Sequence, residues 1–281
     1  MRIYSRLVLL PTLLLAALDI FSSSATQADS RGKLILNPAP ASRTVRQEVE
    51  QVSAFSSLVV IPDHTSIDQV YERNICDAMN QFPSGLSSAL FENGIRIKLA
   101  GNVHDAYYYY YPRWKEDDYS RPVDPNKPIP PMLEKKDGVW IDNRKHENWG
   151  GVYIDKRMVL PQQFIEYGTN NVIDRTNSKA EIKAAVFHES WHGIDDLYKF
   201  SDDEYFIRAY NQDKEKFSEE KEKEMAYFVM SGAEAFAEIA TALTGGLPKE
   251  RAKVLLDAFP LTAEHIKNKT CCTDLRFQNL F

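Results

Sequence analysis

His188-Glu189-Ser190-Trp191-His192 sets two imidazoles four residues apart, with a carboxylate directly after the first. On a helix, residues at that spacing share a face with Cβ atoms roughly 5 to 6 Å apart, so both rings can reach one metal ion. Catalytic zinc takes three protein ligands and leaves a fourth position for water, whose pKa the ion brings down to ~7. A glutamate next to the first histidine is then placed to take that water's proton. The pattern is half of a zinc site, and the rest has to come from elsewhere in the chain.

The motif needs a helix, and its flanks supply one. Ser178 with Glu181 reads as a capping box, and Ala180, Ala184, Ala185 and Val186 carry a helical pattern into His188. A metzincin would place its third ligand by a glycine at 195 and a histidine at 198, but the chain has Asp195 and Tyr198. Downstream, Glu234 and Glu238 lie four apart on a segment whose other residues, Ala233, Ala235, Phe236, Ala237, Ile239 and Ala240, leave almost no polar face. Carboxylates on so apolar a helix need partners when buried, and metal-site use supplies them.

With these residues the chain resembles the metallopeptidases related to anthrax toxin lethal factor, including the secreted Pro-Pro endopeptidases. The resemblance covers roughly residues 180–270 and rests on His188-Glu189-x-x-His192, then Ile194-Asp195-Asp196, then Tyr227, Glu234 and Glu238 in the family's order and spacing. Residues 260–268 are similar to its terminal segment. One feature departs: the family has glycine just before the second histidine, where this chain has Trp191, with Gly193 just after. The resemblance implies that His188, His192 and Glu234 hold one Zn2+ per chain and that Glu189 is the general base. It implies that Tyr227 donates a hydrogen bond to the developing oxyanion and that Glu238 fixes a ligating histidine from behind, with Asp195 or Asp196 as rivals for that role. The fold it implies is α+β and zincin-like, a mixed β-sheet lobe above the active-site helix and a helical C-terminal lobe below. The implied activity is endopeptidase cleavage of protein or peptide substrates. A catalytically inactive zinc-binding module, toxin-like or adhesin, is the alternative, against which Glu189 stands because structural zinc sites need no base.

The chain that must build this site has 281 residues, 43% of them hydrophobic, enough for one sizeable core. Its net charge of -6, without a basic stripe, excludes nucleic acid as a natural partner. Residues 1–28 read as an export signal: Arg2 and Arg6 precede the apolar run 7–18, Asp19 closes it, and small residues lead to Ala25 and Ala28. That run is shorter than the ~20 residues a spanning helix needs, so secretion is expected and stable membrane insertion after signal removal is not. Residues 29–56, with Pro38 and Pro40, read as a polar linker, and 57–281 as the metallopeptidase domain, its α/β lobe ending near 199 and its helical lobe starting near 200.

Within the first lobe, strands are expected at 58–61, 95–99, 139–141, 150–154 and 158–160, the last closing the sheet, with helices over 67–81 and 84–91. The strand at 150–154 is the candidate border of the cleft. Tyr107 to Tyr111 and the five prolines between 122 and 131 read as a long extended loop packed by its tyrosines. In the second lobe helices are expected near 202–216, 233–243, 249–258 and 262–269, while the Lys/Glu-rich 214–224 reads as a solvated surface. His64, His104, His146 and His265 have no ligand partner at helical spacing and read as core or surface residues. Three cysteines, Cys76, Cys271 and Cys272, are an odd count that leaves at least one unpaired and argue against a disulfide scaffold.

Overall fold

Short apolar runs give the strands, with two helices set between the first two of them, and long 3.6-residue periods give the helices that follow the last strand. The structure, a computed structural model, describes residues 59–60, 67–101, 131–144, 149–169 and 171–272. The expected export signal, linker and tyrosine-proline loop lie outside these residues, as do His64, His104 and His146.

The first part holds β1 (Val59–Val60), α1 (Gln69–Asn80), α2 (Ser84–Glu92) and β2 (Arg96–Ala100), then the strands β3 (Leu133–Lys136), β4 (Val139–Asp142), β5 (Val152–Ile154), β6 (Arg157–Pro161), β7 (Gln163–Ile165) and β8 (Val172–Asp174). The main sheet has the order β1-β2-β6-β5, with β1, β2 and β6 parallel and β5 antiparallel to β6. Two expectations are corrected here. β6 does not close the sheet but lies inside it, leaving β5 at the edge. The strand at 139–142 is not in that sheet at all: it pairs with β3 in a separate hairpin. Of the three hairpins among the described residues, β3–β4 and β5–β6 turn on two residues of positive φ, Asp137-Gly138 and Asp155-Lys156, the geometry that matches the twist of the flanking strands.

Helices follow: α3 (Lys179–Tyr198), α4 (Glu204–Lys214), α5 (Glu219–Glu224), α6 (Ala226–Met230), α7 (Gly232–Leu243), α8 (Lys249–Ala258) and α9 (Pro260–Cys272). The expected capping box at the start of α3 is absent, because Ser178 has ψ 69° and its side chain makes no cap hydrogen bond. At the other end Lys199 takes a left-handed conformation and its N–H closes on the Asp195 carbonyl. Within the charged stretch 214–224, residues 219–224 form a helix capped by the Ser218 hydroxyl and bury none of their side chains, as a solvated surface does. Among the described residues no helix is long and apolar enough to cross a membrane.

α3 runs through the middle of the core. One side packs on α1, α2, β5 and β6, and another on α7. Ile97, Leu99, Met158 and Leu160 from the sheet and Tyr71, Ile75 and Met79 from α1 join the buried side chains of α3 in one hydrophobic cluster. Trp191, 1% exposed, stands edge-on to Phe82 and Phe236 and donates its indole N–H to Thr244 Oγ1 at 3.2 Å. The residue after the motif is glycine for a steric reason: a Cβ on Gly193 would come within 2.8 Å of Leu90 Cδ2. Here the close approach between α3 and its neighbours is made after the second histidine, while Trp191 fills the opposite, aromatic side.

Candidate metal centre

α3 places His188 and His192 one turn apart on the same face, as the four-residue spacing requires. α7 begins beneath them. Ser231 caps it by accepting from the Glu234 N–H at 3.3 Å, which fixes the first turn and with it the Glu234 side chain. The result is a convergence of three atoms. His188 Nε2 lies 3.1 Å from His192 Nε2 and 3.1 Å from Glu234 Oε2, and His192 Nε2 lies 3.4 Å from the same oxygen.

The donor set fits zinc by its own geometry. Ligand atoms about 2.0–2.1 Å from a four-coordinate zinc stand about 3.3 Å from one another, which is the spacing seen here. Its hydrogen-bonding points the same way. Glu238 Oε2 lies 2.8 Å from His188 Nδ1, and although burial opposes the charge, His188 and Arg251 hold the Glu238 carboxyl below its usual range. An ionised carboxylate only accepts, so Nδ1 carries the ring proton and Nε2 of a neutral His188 presents a lone pair. That lone pair then faces a carboxylate oxygen and a second imidazole nitrogen, an arrangement that calls for a proton or a cation between them. Among the described residues this is the one group of three metal-ligating side chains so placed.

Glu189 points away from the two rings and is buried, 5% exposed, in front of Gly151. A Cβ on Gly151 would stand 2.6 Å from Glu189 Oε1, so only glycine leaves room for the carboxylate beside β5. Burial pushes the Glu189 carboxyl above its ordinary range, moderated by His188 and His192. Tyr227, on the five-residue α6, donates its hydroxyl to Glu234 Oε2 at 2.6 Å. Burial, and then the Glu234 carboxylate, raise its phenol well above the usual value, so it remains a donor at neutral pH.

All six residues singled out from sequence, His188, Glu189, His192, Tyr227, Glu234 and Glu238, are therefore in one place. Asp195 and Asp196 are not. Asp195 accepts from the Ser201 N–H and hydroxyl, and Asp196 accepts from Tyr153 and Lys199. His265 sits apart, 3.5 Å from Asp203. Three participants were not read from sequence. Arg251 donates to Glu238 Oε1 from α8 and carries no spacing signal. Gly151 falls in the strand expected to border the cleft, which it does, but its role of making room for Glu189 carries no sequence signal. Arg175 is buried with its Nε unpartnered, and its charge acts on Glu189.

No protein-family model and no curated protein matches the chain. Among solved structures it is similar to the PRO-PRO endopeptidase (PPEP-2) from Paenibacillus alvei, at 18% identity over 76% of this chain and 98% of that one, with a TM-score of 0.47. Identity and TM-score are both too low for this likeness to carry a functional conclusion, which rests on the three converging donor atoms.

Proposed function

We propose that this protein is a zinc-dependent endopeptidase of zincin type, exported by its N-terminal segment and acting on peptide bonds of protein substrates. The observation that carries the reading is the set of three donor atoms at mutual distances of 3.1 to 3.4 Å with a buried carboxylate beside them. His188, His192 and Glu234 would hold the ion, which when bound supplies a charge that acidifies water and polarises a carbonyl. Glu189 takes a proton from the attacking water and passes it to the leaving amine, a task suited to a carboxyl that burial raises above its ordinary range. Tyr227 turns its hydroxyl from Glu234 to the oxygen that gains negative charge, a donor typically worth ~3 kcal/mol. Glu238 keeps the proton on His188 Nδ1 and the lone pair on Nε2.

The test separates metal binding from chemistry. The purified protein is expected to carry about one zinc per chain, and Glu189→Gln to keep that zinc while cleavage of a protein or peptide-library substrate falls by at least about a hundredfold. Cleavage by the variant at the wild-type rate would remove Glu189 as base. Zinc at full occupancy in a wild-type protein that cleaves nothing would leave the inactive zinc-binding module instead. Sequencing the N-terminus of protein recovered from medium tests export, with a mature start near 26–29 expected.

A further inference from the structure

Tyr227 stands on a helix of five residues, too short to hold a side chain rigidly by itself, and its hydroxyl is bonded to Glu234. In the reaction proposed above that bond has to break, so some other contact must keep the ring aimed at the centre. The β3–β4 hairpin offers one, through a residue 83 positions earlier in sequence. The guanidinium carbon of Arg144, two residues past the end of β4, lies 4.8 Å from the centroid of the Tyr227 ring. That is stacking distance for a cation on an aromatic face.

Arg144 is itself immobilised. Its Nε donates to both oxygens of Asp142 at 3.1 and 3.0 Å, its Nη2 donates to Oδ2 at 2.7 Å, and its backbone N–H donates to Oδ1 at 2.9 Å. This clamp uses one edge of the guanidinium and holds the cation beside the tyrosine ring. The hairpin is in turn tied to α5, since Lys135 Nζ and Trp140 Nε1 both donate to Glu222 Oε1, at 2.6 and 3.1 Å. β4 also packs on α6 directly. A continuous chain of contacts thus runs from the α5 surface through the hairpin to the tyrosine.

We propose that Arg144 is a positioning residue for Tyr227: clamped by Asp142, it holds the phenol ring in place while the hydroxyl changes partner from Glu234 to substrate. The role rests on the peptidase reading, and the experiment distinguishes the two. Arg144→Met is expected to lower kcat by roughly ten- to a hundredfold, as misplacement of a reacting group does, with KM changed by less than about twofold and zinc content unchanged. Arg144→Lys restores part of the loss because it returns a cation to the ring face. On a Tyr227→Phe background, Arg144→Met should cost nothing further, since the hydroxyl it positions is gone.

A second readout needs no turnover. With 3-fluorotyrosine placed at 227, Arg144→Met should shift or broaden the fluorine resonance, and Arg208→Met, on an exposed face of α4, should leave it alone. A fluorine signal unmoved by Arg144→Met, or a full additive loss of kcat on the Tyr227→Phe background, overturns the proposal while the peptidase reading stands. A wild-type protein without peptidase activity removes that reading and the positioning role with it, even if the fluorine shift records the contact.

Discussion

His188 is held from both sides by acids, and its proton count decides how the centre takes up a metal. Burial works against its charge, but hydrogen bonds to Glu234 and Glu238 drive its pKa well above the ordinary 6.5. For such a raised group the stabilisation is fully present below the unfolded value near 6.5 and is lost as pH rises through the folded value. Glu234 and Glu238 have the opposite sign: both are depressed, and their contribution holds above the ordinary 4.5 and is lost as pH falls through their folded values. Zinc binds only the neutral imidazole, so it must displace the His188 proton. Calorimetry near pH 7, in buffers of different ionisation enthalpy, should therefore record about one proton released per zinc. Apparent affinity should rise about tenfold per pH unit until His188 is neutral on its own. Zinc uptake without proton release at pH 7 would mean that Glu234 and Glu238 do not hold a proton on this ring.

At the scale of elements, the edge strand β5 and helix α3 meet at Gly151 and Glu189, and the contact has no slack. Gly151→Ala sets a methyl 2.6 Å from Glu189 Oε1, and the flexible end of the glutamate is the part free to yield. The fold should survive with little change in unfolding midpoint and full zinc content, while kcat falls by about a hundredfold because the base is displaced by about an ångström. Activity within about twofold of wild type would show that Glu189 works from another position. Elements that carry their own period were legible in the sequence. α7 shows its apolar run between Ser231 and Thr244, and α3 its alanines ahead of His188. The β3–β4 hairpin was only half legible, because Glu134, Lys135 and Lys136 hide the alternation of β3, although Asp137-Gly138 is a strong turn signal. The charge-dense α5 is solvated as its composition implies, and what the composition does not show is that Glu222 on it anchors that hairpin. Arg144 and Arg251 were illegible for a different reason. Each reaches its partner through tertiary packing alone, and no periodicity in a single segment records which distant side chain it will meet.

The whole molecule is divided by the centre it carries. His188 and His192 belong to α3, packed against the sheet, whereas Glu234 belongs to α7, which packs on α6, α8 and α9. An ion between them would join the sheet side to the helical side, yet the junction does not depend on it. Trp191, Phe236 and Phe206 are all buried and linked edge to edge across α3, α7 and α4, and truncating one such side chain typically costs ~3–5 kcal/mol. Small zinc-folded domains lack such a core and unfold when the metal is withdrawn. This protein, after chelation, should keep its near-ultraviolet dichroism and a cooperative urea transition, with the midpoint lowered. Readdition of zinc at a hundred times its dissociation constant should return about 2.7 kcal/mol. Glu234→Ala should abolish that zinc-dependent gain, since the α7 ligand is gone, and Glu189→Gln should preserve it. A transition indifferent to zinc in the wild type, or a chelated protein without cooperative unfolding, would mean that the ion does not span these two helices on an already folded frame.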